Sequence, residues 1–248
     1  MRIDEAKCSG CGRCHEYCTM SCTGFVRLLG GKVVSQVDED ECVDCGVCER
    51  SKVCGLEAIY APEAAWPRSV RGTFSNPLIE HKETKVPGRG TEEMKTNEVT
   101  GRFPPGFVGM SVELGRPGVG ARLADAGIVG RALKRMGISL EPKNPLTTLL
   151  DPVTGDCLPE VAREKVLSAI IEFLLPAERT AEVLGAIRAL AGQVDTVISV
   201  DLVYRNVPES NVLDTVFDMG ESPYHNGKTN VGLGRPRVDG DKVGEVRS

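Results

Sequence analysis

The stretch Cys8-Ser-Gly-Cys11-Gly-Arg-Cys14-His-Glu-Tyr-Cys18 returns 34 residues later as Cys42-Val-Asp-Cys45-Gly-Val-Cys48, with Cys54 after a gap of five. The two copies share more than cysteine. Ile3-Asp4-Glu5 precedes the first run as Val37-Asp38-Glu39 precedes the second, and Gly12 and Gly46 follow the second cysteine of each. Between the copies, Phe25-Val-Arg-Leu-Leu29 and Lys32-Val-Val-Ser-Gln-Val37 flank Gly30-Gly31. Two β-prone runs around a Gly-Gly pair predict a hairpin. Residues 1–60 therefore read as two near-copies of one cysteine loop joined by a β-ribbon.

Nine of the ten cysteines lie within the first 54 residues, a density that points to metal or redox chemistry. Three thiolates at steps of three wrap one face of a multinuclear metal group, and a fourth ligand has to arrive from elsewhere in the chain. Zinc also takes Cys-x2-Cys pairs, in closed sites of four ligands. Two triplets with two remote cysteines suit zinc only if two separate sites form. A disulfide framework would require an oxidising compartment, and nothing in the sequence indicates one.

With these runs, residues 1–60 resemble the bacterial-type ferredoxins with two [4Fe–4S] clusters, in which the remote cysteine of each run serves the other cluster. The resemblance implies that Cys8, Cys11, Cys14 and Cys54 hold one cluster, and Cys18, Cys42, Cys45 and Cys48 the other. Gly12 and Gly46 stand where a side chain would crowd such a group. Two departures are visible. Thr19 and Gly55 replace the proline usual after the remote cysteine, and five residues, Glu49 to Val53, stand where three are common. Aligning Cys18 with Cys54 sets Cys22 opposite Ala58, so Cys22 reads as a small packed residue ahead of an alternative ligand. Cys157 reads as an incidental loop thiol. His15, inside the first loop, reads as facing water ahead of tuning the metal group.

Beyond residue 60 the pattern dissolves. Six prolines punctuate residues 61–106, which predicts an extended irregular arm that meets a surface or partner, with a plain linker as the other reading. Periodicity returns at Phe107. Val108, Met110, Val112 and Leu114 alternate with Phe107, Gly109, Ser111 and Glu113, a half-buried strand. A helix stripe follows (Leu123, Ala126, Val129, Leu133, Met136), then a short strand at Ile138–Leu140 and an irregular excursion over 142–165. A second strand-helix-strand follows: Ala169 to Leu175, a stripe of Val183, Leu184, Ile187, Leu190 and Ala191, then Ile198 to Tyr204. The order over 107–205 is β-α-β-β-α-β, the ferredoxin-like split unit. The expected fold class is thus α+β: a dicluster domain, then a βαββαβ sandwich, with residues 206–248 an irregular tail. This second unit is similar in topology to the ACT family of small-molecule-sensing modules. That likeness implies ligand contact at Gly115, Gly118 and Gly120 and a homodimer through the βαββαβ domain; a glycine turn of a scaffold is the other reading.

Composition narrows the function. Hydrophobic residues form 41% and charged residues 26%, which suits a folded chain, and a net charge of −5 argues against general nucleic-acid binding. No run of about 18 apolar residues exists to span a membrane, and Met1 to Lys7 lacks the apolar core of a secretion signal, so a cytoplasmic protein is expected. No nucleophile–base pairing is legible. The resemblance implies an iron–sulfur electron-transfer protein, the subunit or partner of a larger anaerobic oxidoreductase rather than a free-standing catalyst, docking a redox partner protein. Two other classes stay open: an ACT-like ligand or redox sensor, and a reductase or sulfur-transfer enzyme working through Cys22 or Cys157.

Overall fold

The computed structural model describes residues 1–82, 103–116, 118–205 and 211–221. Over these the chain is a mixed α/β protein with small sheets and five α-helices. None of these helices is long and apolar enough to cross a membrane. Residues 83–102 of the expected arm, residue 117 in the turn that holds Gly115, Gly118 and Gly120, and most of the expected tail lie outside the described residues.

In the N-terminal unit, β1 (Arg2–Ile3) pairs antiparallel with β4 (Ile59–Tyr60), tying its two ends together. Between them β2 (Thr23–Arg27) and β3 (Val33–Val37) form the expected hairpin around Gly30-Gly31, with Val26 opposite Val34. A single turn of helix, α1 (Val47–Arg50), closes the second cysteine run.

The internal repeat is also a repeat of hydrogen bonds. Asp4 Oδ1 accepts from the N–H groups of Ala6 and Lys7, and Asp38 Oδ1 from those of Asp40 and Glu41. The carbonyl of Asp4 receives Cys8 N–H at 2.9 Å, and that of Asp38 receives Cys42 N–H at 3.0 Å. These are side-chain-mimicked turns that aspartate makes readily. They tie the first cysteine of each run to the preceding aspartate in the same way.

The second unit is built on β5 (Phe107–Leu114), flanked antiparallel by β8 (Ala169–Pro176) and β9 (Ile198–Tyr204) in the order β8-β5-β9. Register puts Val108, Met110, Val112 and Leu114 in rows with Leu175, Phe173, Ile171 and Ala169 on one side and Tyr204, Leu202, Val200 and Ile198 on the other. This face joins one core with the apolar stripes of α3 (Leu123–Arg135) and α4 (Thr180–Leu190). Helix α3 carries Asp125 in its first turn and Lys134 and Arg135 in its last, complementing the helix dipole. It ends in a left-handed cap at Gly137 (φ +74°), where Ile138 N–H reaches back to Leu133 O at 3.0 Å. A two-stranded ribbon, β6 (Ala121–Arg122) with β7 (Lys165–Val166), brackets the excursion between them.

Four details depart from the sequence reading. The strand at 138–140 shrinks to one bridge, Leu140 to Phe173, because the helix cap and Pro142 leave too few residues between them. Strand β5 is buried on both faces, not half-buried: Phe103 lies over Gly109, and Ser111 sits between the buried Glu172 and Asp201, to which its hydroxyl donates at 3.1 Å. The arm contains a helix, α2 (Ser69–Ser75), which buries Val70 and Phe74 in the core of the second unit. Within 206–248, α5 (Val212–Asp218) packs against α4 and buries Val212 and Val216.

Candidate metal centre

Two cavities open in the N-terminal unit, and the thiols divide between them. The first, about 380 Å³, is lined by Cys8, Cys11, Cys14 and Cys54, with Ser35, Leu56 and Ala58 among its other walls. The second, about 20 Å³, is lined by Cys18, Cys42, Cys45 and Cys48, together with Cys22, Met20 and Thr23. Each takes three thiols from one run and the remote one from the other, the division implied by the resemblance. By volume the first has room for a multi-atom group, while the second has room for roughly a single water and is marked by its donor set. Among the described residues no three His, Cys, Asp or Glu side chains meet closely enough to grip one metal ion. The thiols surround cavities instead of converging on a point.

The backbone presents N–H groups to the sulfurs in matched pairs. Ala58 N–H points at Cys54 Sγ at 3.3 Å, and Cys22 N–H at Cys18 Sγ at 3.2 Å. The carbonyls repeat the match, Ala58 O accepting from Asp4 N–H and Cys22 O from Asp38 N–H. Cys22 is thus the counterpart of Ala58, as the alignment predicts, and both are buried. Cys8 Sγ receives Ser35 N–H at 3.3 Å and Gly10 N–H at 3.4 Å. At the position 34 residues before Ser35, the Met1 amino group lies 3.7 Å from Cys42 Sγ. Thr19 Oγ1 lies 3.3 Å from Cys45 Sγ.

Gly12 and Gly46 hold φ of +73° and +71°, the left-handed region that favours glycine. At Gly12 the nearest obstacle to a side chain is a ring rather than the cavity: a Cβ would fall 2.6 Å from Phe25 Cζ. His15 is half-buried and lines neither cavity. Its Nε2 bonds Ser35 Oγ at 3.0 Å and its ring leans on Phe25.

Electrostatics sort the thiols. Burial pushes Cys14 up, and burial together with the charges of Cys45, Cys42 and Cys18 lifts Cys48 to about 11. The N–H of Arg13 holds the exposed Cys11 down. Cys18 is drawn down first by its hydrogen bond with Cys22, which is pushed up in turn. Metal ligation requires thiolate, and a bound cation would stabilise the negative charge that burial and crowding of these sulfurs oppose. Cys157 is raised to about 11 by burial under α3, a setting that keeps a thiol inert.

The remaining candidate residues cluster elsewhere. Gly115 O accepts from the N–H groups of Val119 and Gly120, making a tight turn between β5 and β6. Gly115, Gly118 and Gly120 line neither cavity. Gly120 instead lies against Met20, where a Cβ would fall 2.8 Å from Met20 Cε. Sequence reasoning missed the residues that join the two units, above all Arg71. It is buried in α2, donates to the carbonyls of Glu39, Asp40 and Cys42 at 2.8–3.0 Å, and ion-pairs with Glu164. Nearby, Arg122 bridges Asp40 and Glu41 at 2.8 Å each, and Lys165 pairs with Glu41. Compared with known proteins, the chain matches no family model, no curated protein and no solved structure.

Proposed function

We propose that this chain is an iron–sulfur electron-transfer protein that holds two [4Fe–4S] clusters, one on Cys8, Cys11, Cys14 and Cys54 and one on Cys18, Cys42, Cys45 and Cys48. The observation that carries the reading is the division of eight thiols between two cavities, three from one run and one from the other in each. Bound there, such clusters supply one-electron chemistry over a wide range of potentials.

The residues of the chain do the rest. Amide N–H groups of Gly10, Ser35, Ala58 and Cys22 point at ligand sulfurs and stabilise negative charge on them, a recognised lever on potential. Burial of Cys8, Cys14, Cys42 and Cys48 keeps water from the sulfurs. Exchange of Cys18 and Cys54 between the halves makes each half hold the other.

The second unit reads as the βαββαβ split sandwich. The order β9-β5-β8, the bridge from Leu140 to the free side of β8, and α3 packed on α4 support that reading. Its role is to brace the second site through Arg71, Arg122 and Lys165 and to present the whole to a redox partner protein, the catalytic subunit of a larger oxidoreductase. The tight turn at Gly115–Gly120, packed on Met20, serves that brace.

Anaerobic purification with metal and sulfide analysis tests the proposal. About eight irons and eight sulfides per chain are expected, with visible absorption that bleaches on reduction. Colourless protein, or zinc in place of iron, would overturn it.

A further inference from the structure

The second cavity carries one thiol more than its counterpart. Where the first site has Ala58, four residues beyond Cys54, the second site has Cys22, four residues beyond Cys18. The two sulfurs lie 3.4 Å apart, and Cys22 N–H points at Cys18 Sγ. A disulfide requires about 2.05 Å, so modest side-chain rotation brings them together within one turn, held by the Ser21 N–H to Cys18 O bond. Cys18 is half-buried and Cys22 buried, so a small reagent reaches Cys18 first.

We infer that Cys18 and Cys22 form a disulfide-forming modification site whose closure withholds Cys18 from the second metal site. The regulatory half of this inference rests on the cluster reading above; the pairing itself does not. The co-reactant is a low-molecular-weight disulfide. The Cys18 thiolate attacks one sulfur of that reagent, forming a mixed disulfide and releasing one small thiolate. Cys22 then loses its proton and attacks Cys18 Sγ; the mixed S–S bond breaks, and the second small thiolate leaves and takes up the proton. Two protein thiols are oxidised by two electrons, and one small disulfide is reduced to two thiols. Only the second site has this route, because Ala58 offers no resolving sulfur to Cys54.

The test uses the full-length, metal-free chain with oxidised glutathione under anaerobic conditions, followed by alkylation and peptide mass mapping. The Cys14–Arg27 tryptic peptide contains both sulfurs. An internal Cys18–Cys22 bond, two hydrogens lighter with Cys14 alkylated, is the expected result. A lasting glutathione adduct on Cys18, or pairing of either sulfur elsewhere, overturns the inference. In Cys22→Ala, which copies the first site's arrangement, the adduct on Cys18 should persist at least tenfold longer; equal clearance overturns it. In reconstitution without a thiol reductant, the closed form should take up about half the iron of the reduced chain and regain the rest after reduction. Full uptake without reductant overturns the regulatory half. Iron analysis of the untreated protein decides the cluster reading separately, so the two failures are distinguishable.

Discussion

Gly10 shows what a single residue does at the first site. It holds φ +73°, and a Cβ there would fall 2.4 Å from the carbonyl oxygen of Val33, a backbone atom that cannot swing away. Its N–H is one of the two aimed at Cys8 Sγ. The left-handed conformation alone costs an L-residue about 1–2 kcal/mol, and the collision adds to it. Gly10→Ala should therefore lower the melting temperature by several degrees and reduce iron retained at the first site, with the second unaffected. Calorimetry and cluster-resolved spectroscopy check both; unchanged iron would show that the Gly10 N–H does not matter there. The repeat concealed this glycine, because position 44 carries aspartate. Asp44 nonetheless adopts φ +53° and pairs its carboxylate with Arg68 at 3.0 Å. Aspartate tolerates the left-handed region better than most residues, so two different residue types meet one backbone demand. The repeated spacing of the cysteines was legible in the sequence, and so was the place of Gly12, but the Phe25 ring that excludes a side chain there was not. Gly10 and Asp44 likewise take their meaning from neighbours distant in sequence.

Among the elements, α2 has the greatest effect for its length. Seven residues are too few for a helical stripe to stand out, and Pro62, Pro67 and Pro77 around it suggest irregular chain. What the sequence lacked was the partner surface: Val70 and Phe74 are core residues only because β7 and the second unit lie beneath them. Strands β5, β8 and β9 were legible for the opposite reason, since an apolar residue at every second position over seven or eight residues carries its own evidence. Arg71 links the helix to the metal-site loop. Its guanidinium occupies three carbonyls and one carboxylate; Arg71 itself is buried and its partner Glu164 half-buried. Arg71→Met would leave the half-buried Glu164 without its cation and three backbone carbonyls without their donor. Breaking a fully buried pair costs about 3–5 kcal/mol, and this one, with Glu164 in part open to water, costs less. The expected outcome is a clear loss of stability in denaturant unfolding, with iron lost preferentially from the site that includes Cys42. Arg71→Lys should recover only part of it, since one ammonium cannot reproduce the guanidinium's fork of donors. Equal iron at both sites in Arg71→Met would argue that the helix braces the fold alone.

For the whole molecule, the two sites differ in how they meet solvent, a property no spacing rule could reveal. The first has Cys11 exposed and Leu56 half-open at its rim. The second has Cys42 and Cys48 buried, Met20 wedged toward Gly120, and the Asp40–Glu41 corner held by Arg122 and Lys165. These are contacts between residues roughly a hundred positions apart, so they exist only once both units are folded. A small iron chelator presented to reduced, anaerobic protein should accordingly strip iron in two phases. Alkylation during the reaction identifies the order: Cys11 and Cys54 should become modified in the fast phase, Cys42 and Cys48 in the slow one. Arg122→Ala removes two ion pairs, to Asp40 and Glu41, that are partly exposed and worth little to overall stability, about 1 kcal/mol or less each. It should still shorten the slow phase, because that arginine closes the corner over the second site, and leave the fast phase unchanged. Labelling of Cys42 ahead of Cys11 would mean that the second unit does not shield the site it touches.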